Sequence, residues 1–534
     1  MKHGVVALIG LGIVIMPVDG QAQGWIIPVE GAKFIASNAA PGEAFGDAVA
    51  IDGDTALVGQ YHGLNPGGPP GSVIVFQRSG SSWTEQAVLV ASDGLSSDHF
   101  GFAVDLNGDT AVVGAWSDDH AGGLDAGAVY VFTRSGSTWT EEAKLTASDA
   151  TSGDHFGYAV SLSGDYLAIG AQGVAGHRGA AYVFVRNGDS WQEQEKLTAS
   201  DADQGAAFGN ALAVAGSTVV IGAPSDNLAG LATHAGSTYV FDWNGSTWTE
   251  TAKLTAPTPA HDDGFGVVVD LDGDTLAVGC GWDDHAGGAE AGSAHVYTRS
   301  GSSWSHQATL VASDAESGAY FGLALALDTD LLVVGAPWDD TAGGLQACSA
   351  YVFARSGSNW IEQAKLLGSD SAAEDDFGSA VDLDAGVTII GAPGNDSAAG
   401  VDVGAAYAFS LTATIVDIGQ ALAGVTGLPH LVGQGTFQPG SLMALGLANA
   451  RPLAVAPFVV GVDALFGPFK GGVLVPRPDF IFPLFTSFTG EASFGGPWPP
   501  GVPSGFTTYF QWWVQDPAGP KGFAASNALA GTAP

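Results

Sequence analysis

Basic residues and cysteines are both scarce in this 534-residue chain. Sixteen Lys and Arg stand against 55 Asp and Glu, which gives a formal net charge of −39. Because non-specific affinity for nucleic acids comes from Lys and Arg that displace counterions, this balance excludes a DNA- or RNA-binding protein. Two cysteines, Cys280 and Cys348, are too few for a disulfide framework. Each is interpreted as a small buried residue, and a single bridge between neighbouring repeats is the alternative.

Long apolar runs are also missing, apart from one at the amino terminus. Lys2 and His3 precede an apolar stretch at residues 5–16, and Gly20-Gln21-Ala22 places small residues at a cleavage site. This pattern predicts a signal peptide of residues 1–22. The alternative, a membrane anchor, needs about 20 apolar residues. We therefore expect a secreted or cell-surface protein with no membrane span.

The chain contains one sequence repeat, which occurs seven times. The dipeptide Phe-Gly recurs about every 55 residues, and a period of this length is typical of propellers and solenoids. Each copy leads to two apolar runs around a tight turn, and the second run ends in Gly-Ala-Pro or a relative. The Phe-Gly copies begin at Phe45, Phe100, Phe156, Phe208, Phe265, Phe321 and Phe377, and the triplets begin at Gly59, Gly114, Gly170, Gly222, Gly279, Gly335 and Gly391.

Each unit contains four short strands and no helical periodicity. In the second unit, residues 103–106 and 110–114 flank an Asn-Gly-Asp turn that suits a tight hairpin. An aromatic strand at 130–132 and a Trp-containing strand at 139–146 follow. Seven such units predict an all-β, seven-bladed β-propeller, in which each blade buries its faces against its neighbours.

The two ends of the array are complementary. The seventh unit has an aromatic strand at 407–409 but no Trp-containing strand after it, whereas Trp25 and Ala32-Lys33-Phe34 before the first Phe-Gly match that missing strand. We therefore expect the N-terminal strand to complete the last blade, which removes an exposed sheet edge. This assigns residues 23–411 to the propeller.

The repeat resembles the FG-GAP repeats of the integrin α-subunit β-propeller and its bacterial secreted relatives. Phe-Gly, the complete Gly-Ala-Pro triplets at Gly222, Gly335 and Gly391, and their spacing carry the resemblance over about residues 24–410. Kelch repeats, with a similar Gly-Gly, Tyr, Trp order, are the alternative. The resemblance implies adhesion, and Ca²⁺ in the turn between strands one and two. The nearest match, Asp270-Leu271-Asp272-Gly273-Asp274, departs from that pattern because its hairpin closes almost at once.

The charges are predicted to separate onto two faces of the disc. Arg residues lie in the turns between strands three and four, whereas Asp gathers in the two-to-three and four-to-one loops, which form what we call the Asp-rich face. Oxygen-rich clusters suit Ca²⁺, so this pattern makes Ca²⁺ the candidate cofactor. The alternative is that these Asp residues cap turns and maintain solubility. The candidate metal ligands on this face are Asp118, Asp119, Asp283, Asp284, Asp339 and Asp340. The resemblance adds Asp270, Asp272 and Asp274 in the turn between strands one and two.

No motif in the chain indicates catalysis. Histidines recur beside Asp, as at Asp119-His120 and Asp284-His285, but without the fixed spacing of a structural zinc site. Inherited repeat similarity is the preferred explanation. No nucleophile elbow, phosphate loop or dinucleotide fingerprint is present.

From about Ala413 the period stops, acidic residues thin out and Pro becomes frequent. Alternating apolar stretches predict a β-sandwich-like domain over residues 412–534. Segments 469–476 and 516–520 resemble a terminal module of other secreted bacterial proteins, which implies surface display or sorting. The alternative is a capping domain.

The sequence thus predicts a secreted, non-enzymatic binding or adhesion protein, with a monomeric propeller whose acidic face meets a protein, a glycan or a divalent cation. One alternative is a lectin, which needs exposed aromatic side chains in pockets. The other is an enzyme, which needs unlike residues with perturbed pKa values to converge at the central channel.

Overall fold

The computed structural model describes residues 24–26 and 28–411, except 62–69, 202, 229–232, 341–347 and 398–399, and the backbone of strands between 414 and 532. The predicted signal peptide lies outside the described residues. The chain divides into two compact units, one built on Glu30–Phe409 and one on Ser410–Pro534. Among the described residues, no helical segment has the length and apolar character that a membrane crossing requires.

The first unit is a seven-bladed β-propeller, as the repeat predicted. Each blade is a four-stranded antiparallel sheet, and its first strand lies innermost. The first six blades are β3–β6 (Val49–Asp52, Thr55–Gln60, Ser72–Ser79, Ser82–Leu89), β7–β10 (Ala103–Asn107, Thr110–Ala115, Ala128–Ser135, Thr138–Leu145), β11–β14 (Phe156–Ser163, Tyr166–Ala171, Ala180–Asn187, Ser190–Leu197), β15–β18 (Ala211–Ala215, Thr218–Ala223, Ser237–Trp243, Trp248–Leu254), β19–β22 (Val269–Asp272, Thr275–Cys280, Ser293–Ser300, Ser303–Leu310) and β23–β26 (Ala324–Asp328, Leu331–Ala336, Ser349–Ser356, Asn359–Leu366). A four-residue helix, α1 (Val174–His177), lies in the loop between β12 and β13 of the third blade.

The seventh blade is assembled from both ends of the repeat array. Strands β27 (Val381–Asp384), β28 (Val387–Ala392) and β29 (Ala405–Ser410) are completed at the outer edge by β2 (Val29–Phe34). The segment around Trp25 departs from the expected arrangement. Strand β1 (Gly24–Ile26) pairs with β30 (Thr414–Asp417), in a sheet of the second unit, rather than with the propeller blade.

Glycines of the two recurring motifs touch each other across every blade interface. A Cβ on Gly114 would lie 2.1 Å from the carbonyl oxygen of Gly157, the Phe-Gly glycine of the next blade. The same contact joins Gly391 to Gly46, and the innermost strands β27 and β3 are also in contact, so the ring is closed. Only glycine allows this approach of two backbones, which explains why both motifs require it.

The Phe of each Phe-Gly motif packs between blades. Phe100 is fully buried, with its ring 5.4 Å from that of Tyr130 in an edge-to-face arrangement. Full burial of a Phe side chain contributes about 1.5–3 kcal/mol. The Trp-containing strand adds a polar clamp, because Glu141 accepts hydrogen bonds from the backbone N–H and hydroxyl of Ser92 in the preceding loop at 2.8 Å each. These contacts recur around the ring, which explains why the same Phe, Ser and Glu residues recur in the repeat.

The second unit is described as strand backbone only. Its largest sheet has the order β1-β30-β40-β38-β33-β36, with β39 also on β38, beside the sheets β31-β32-β37 and β34-β35. These strands are β31 (His430–Gly435), β32 (Leu442–Ala448), β33 (Val455–Gly461), β34 (Ala464–Phe469), β35 (Gly472–Pro476), β36 (Phe480–Phe485), β37 (Ala492–Pro497), β38 (Thr507–Gln515), β39 (Phe523–Ala525) and β40 (Leu529–Thr532). The unit is therefore rich in antiparallel strands, and the β-sandwich stays a prediction. Segment 516–520 lies outside the described residues.

Candidate functional site

Much of the Asp-rich face is occupied by a repeated charge network. In the second blade, the Lys144 ammonium group donates to Asp93 and Asp118 at 2.8 Å each, and the Tyr130 hydroxyl donates to the same two carboxylates at 2.7 and 2.9 Å. Burial lowers the pKa of Lys144, but the hydrogen bonds to both carboxylates outweigh it and the net shift is upward. The hydrogen bond from Lys144 lowers the pKa of Asp93. The network therefore joins two blades.

The network is complete in three blades and altered in the others. The fourth blade repeats it with Tyr239, Lys253, Asp201 and Asp226, and the sixth with Tyr351, Lys365, Asp314 and Asp339. The fifth blade replaces it by an uncharged set. There His295 takes the place of the Tyr, hydrogen-bonded to Ser293 at 3.1 Å and Thr309 at 3.2 Å, and burial lowers the pKa of His295 to about 3.

The predicted metal ligands of the two-to-three loops are engaged within the protein. Asp118 and Asp339 belong to the charge network just described. Asp119 and Asp284 accept the backbone N–H of the residue six positions on, at 2.8 and 2.7 Å. Asp283 donates its backbone N–H to Cys280 at 3.2 Å, and Asp340 donates its own to Glu316.

The predicted ligands of the fifth blade's first hairpin are engaged in the same way. Asp270 and Asp272 accept N–H groups of the next blade at 2.7 and 2.8 Å, and Asp274 pairs with Arg299 at 2.8 Å. Among the described residues, no group of three or more His, Cys, Asp or Glu has a geometry that could hold a metal ion. In seven of the nine predicted ligands a carboxylate oxygen already accepts a hydrogen bond or an ion pair, so these seven fit Ca²⁺ poorly.

The histidines beside Asp brace loops. His120 accepts the N–H of Gly122 on Nδ1 at 3.0 Å, which leaves the proton of the neutral ring on Nε2, 3.1 Å from the carbonyl of Gly127. His285 makes the same contacts in the fifth blade. Cys280 and Cys348 are buried and form no disulfide.

The opposite face carries Arg–Asp pairs. Arg134 lies at the end of β9, and its Nε is 2.7 Å from Asp109 in the turn between β7 and β8, with the guanidinium also over the Trp139 ring. Arg78 pairs with Asp54 in the same way at 2.7 Å. Three Arg side chains on this face, Arg78, Arg134 and Arg299, are thus matched with an Asp of the neighbouring turn.

Carboxylates also lie around the axis of the ring. Asp105, Asp270 and Asp382 are on innermost strands, and each accepts an N–H of the next blade's innermost strand at 2.6–2.7 Å. Burial, with repulsion from other carboxylates as a smaller cause, raises the pKa of Asp105 to about 7 and that of Asp270 to about 6, and raises that of Asp382 well above its usual value. The hydrogen bonds to these carboxylates join neighbouring blades, whereas burying the carboxylates has an electrostatic cost.

An aromatic group lies where the innermost strands begin on the Asp-rich face. We call it the mouth cluster, and its members come from the first three units: Tyr61, His99, Phe102, Trp116, His155 and Tyr158. Phe102 lies 5.6 Å from Tyr61 and 5.0 Å from Tyr158, and Trp116 stacks on His99 at 4.6 Å. Among the described residues, the buried Nε1 of Trp116 and Nδ1 of His99 and His155 have no hydrogen-bond partner.

Two carboxyl groups adjoin the mouth cluster. Burial, and then repulsion from Asp376, raises the pKa of Asp47 to about 6. Burial and the neighbouring Asp47 raise the pKa of Tyr61 to about 12, and Asp47 also raises that of Tyr158. Because these residues belong to the first, third and seventh blades, they approach one another only near the axis. The mouth cluster is therefore a convergent group of unlike residues.

Sequence reasoning missed the mouth cluster, although a signal was present. The third residue of the Gly-Ala-Pro triplet is Pro in three units, at Pro224, Pro337 and Pro393, whereas the first two units carry Tyr61 and Trp116 at this position. A departure from the repeat consensus, rather than the consensus itself, marks the site.

The match to a family of repeats agrees with the fold. The family described as "FG-GAP repeat" matches seven segments, at residues 28–76, 83–132, 139–184, 191–241, 248–297, 304–353 and 360–409. No curated protein shows significant similarity to the chain. Among solved structures, Sqt1 from Chaetomium thermophilum is similar with a TM-score of 0.42 and 16% identity, over 70% of this chain and 87% of that one.

Proposed function

Because the chain belongs to the FG-GAP repeat proteins, whose fold suggests binding or adhesion, we propose that it is a secreted, non-enzymatic binding protein. Its Asp-rich face receives a positively charged segment of an extracellular protein, with the mouth cluster at the centre of the contact.

The observation that carries this proposal is the pair Asp47 and Asp376 beside the mouth cluster. Burial raises the pKa of Asp376 to about 6, as it does for Asp47. No Lys or Arg among the described residues forms an ion pair with either, whereas the buried Asp118 has Lys144. Both side chains are half-buried. An uncompensated carboxylate removed from water is costly, and a cation supplied by a partner would reduce that cost. The neighbouring rings would add cation–π attraction.

The propeller's own lysines do not supply that cation. The side chains of its five lysines donate to carboxylates of the repeated network at 2.6–2.8 Å: Lys33, Lys144, Lys196, Lys253 and Lys365. The surplus of negative charge on this face would also accelerate the approach of a basic partner.

The test is the binding of an Arg/Lys-rich peptide to the full chain, measured by calorimetry at two salt concentrations. Asp47→Asn should weaken binding about tenfold, corresponding to about 1.4 kcal/mol. Asp189→Asn is the matched control, because it removes one exposed negative charge from the opposite face. Equal affinity of the two variants would show that only net charge matters and would overturn the proposal.

Two other candidates have specific tests. Ca²⁺ at the nine Asp positions remains a prediction, and calorimetric titration with Ca²⁺ that gives no heat and no change in melting temperature would remove it. A catalytic role is favoured only by the convergence of Asp47, Tyr61 and Tyr158. Turnover of a hydrolase substrate panel that is lost in Asp47→Asn would support that role over simple binding.

A further inference from the structure

A concave site lies on the Asp-rich face, between the fourth and fifth blades and apart from the mouth cluster. It is a cleft of about 460 Å³, within the volume range of small-molecule sites. Its chemistry comes from one indole, two imidazoles and three carboxylates, which belong to Trp282, His234, His261, Asp262, Asp284 and Glu290.

The floor of the cleft exists because one repeat position is glycine. Gly264 precedes Phe265 of the Phe-Gly motif, where the other six units carry a side chain. Its φ of +67° is a left-handed conformation, and a Cβ there would lie 2.2 Å from a ring carbon of Trp282. The missing side chain therefore lets the indole lie against the backbone and line the cleft.

The polar groups of the cleft are hydrogen-bonded to the backbone or to one another. The backbone N–H of Thr233 donates to Nδ1 of His261 at 3.1 Å, so the neutral imidazole carries its proton on Nε2. Nδ1 of His234 lies 3.0 Å from Asp262 Oδ1, and Asp284 Oδ1 accepts the N–H of Glu290 at 2.7 Å. Each of these side chains has one polar atom engaged and a second that it can offer to a ligand.

The lining determines the class of ligand. It contains no Lys or Arg but three carboxylates, so a phosphate, sulfate or carboxylate ligand would be repelled. An apolar ligand would bury the carboxylates and imidazoles without partners, at a cost of about 1–3 kcal/mol for each group. The fitting ligand has hydroxyl groups for the polar atoms and an apolar face for the indole. A pyranose ring has both.

We propose that this cleft binds a neutral saccharide, with one sugar face on Trp282 and sugar hydroxyls donating to Asp262, Asp284 and Glu290. The site differs from the mouth cluster in position and in ligand charge. Saccharide binding here is therefore independent of the basic partner proposed above, and either can fail without the other.

The experiment presents the full chain to an array of neutral, sialylated and sulfated glycans in the presence of EDTA, and then measures the Kd of the best neutral glycan by calorimetry. We expect binding to neutral glycans alone, about tenfold weaker in Trp282→Ala. Trp338→Ala is the matched control, because Trp338 occupies the same repeat position in the sixth blade and is 47% exposed without lining the cleft. Its Kd should equal that of the wild type.

A second variant separates loss of the site from loss of the fold. Gly264→Ala should weaken glycan binding because the new methyl group displaces the indole, and the melting temperature of each variant shows whether the propeller is intact. The proposal is overturned by an array with no neutral glycan bound, by preference for sialylated or sulfated glycans, or by equal loss in Trp282→Ala and Trp338→Ala. Competition by an Arg/Lys-rich peptide but by no sugar would instead assign the cleft to a basic protein partner and would also overturn it.

Discussion

Replacing Lys144 by Met tests whether the repeated charge network holds the blades together. The ammonium group of Lys144 is 2.8 Å from both Asp93 and Asp118, and the side chain of Asp118 is only 2% exposed. Lys144→Met keeps the aliphatic stem and removes the charge. The buried carboxylate of Asp118 is then left with the hydroxyl of Tyr130 as its only partner among the described side chains.

The magnitude follows from the burial of each partner. Loss of one member of a buried ion pair costs about 3–5 kcal/mol. Asp93 is 54% exposed on its side chain, so water can solvate it and it adds little. The cost therefore comes from Asp118, and we expect Lys144→Met to lower the free energy of unfolding by about 3 kcal/mol. Urea unfolding at pH 7, monitored by tryptophan fluorescence, measures it.

A double variant supplies the control. Asn395 occupies the position of Asp118 in the seventh blade, where it accepts a hydrogen bond from Lys33 at 2.9 Å. Asn is therefore compatible with this site, and adding Asp118→Asn to Lys144→Met should recover most of the loss because no buried charge remains. A loss below about 1 kcal/mol in the single variant, or no recovery in the double variant, would refute the reasoning.

Three further predictions concern the motifs and the buried titratable groups. Gly114→Ala should lower the free energy of unfolding by more than about 3 kcal/mol, because its Cβ would meet a backbone oxygen of the next blade. Gly108→Ala, whose Cβ would have nothing within 4 Å, should lower it by about 1–2 kcal/mol, and thermal unfolding compares the two variants. The folded pKa of His295 is about 3, below its reference of 6.5, so the stability that the neutral ring contributes is present above pH 6.5 and is lost towards pH 3 at about 1.4 kcal/mol per pH unit. His295→Gln should flatten this slope in thermal unfolding measured from pH 7 to 4.5. The folded pKa of Asp105 is about 7, above its reference of 3.8, so its contribution to the free energy of unfolding is greatest at low pH and falls by up to about 4 kcal/mol as pH rises through 7. Asp105→Asn should therefore be more stable than the wild type at pH 8, and equal melting temperatures would contradict this.

The seven-bladed fold could be predicted because its evidence is local and repeated. Phe45 and Gly46 and their six copies recur at one spacing, so each copy confirms the others. The segment around Trp25 was assigned to the last blade because it matches the repeat, yet β1 pairs with β30. Similarity to the repeat did not reveal the competing partner strand, because a strand edge can pair with any segment brought beside it.

The roles of the acidic residues were harder to predict. The sequence predicted both Asp118 and Asp270 as candidate cation ligands, but Asp118 binds Lys144 and Asp270 binds the backbone of Leu327. The partners come from other strands and other blades. Composition alone records how many acids there are and not which atoms already contact them.

By itself, the amino-acid sequence determined the strand pattern and the number of blades, because each depends on residues within one repeat period. Only the tertiary structure decided that Asp47, Tyr61 and Tyr158 converge and that Trp282 lies over Gly264. The physical reason for the first is ring closure, which brings blades far apart in the chain within reach of one another. The second depends on how two loops of the fifth unit fold against each other.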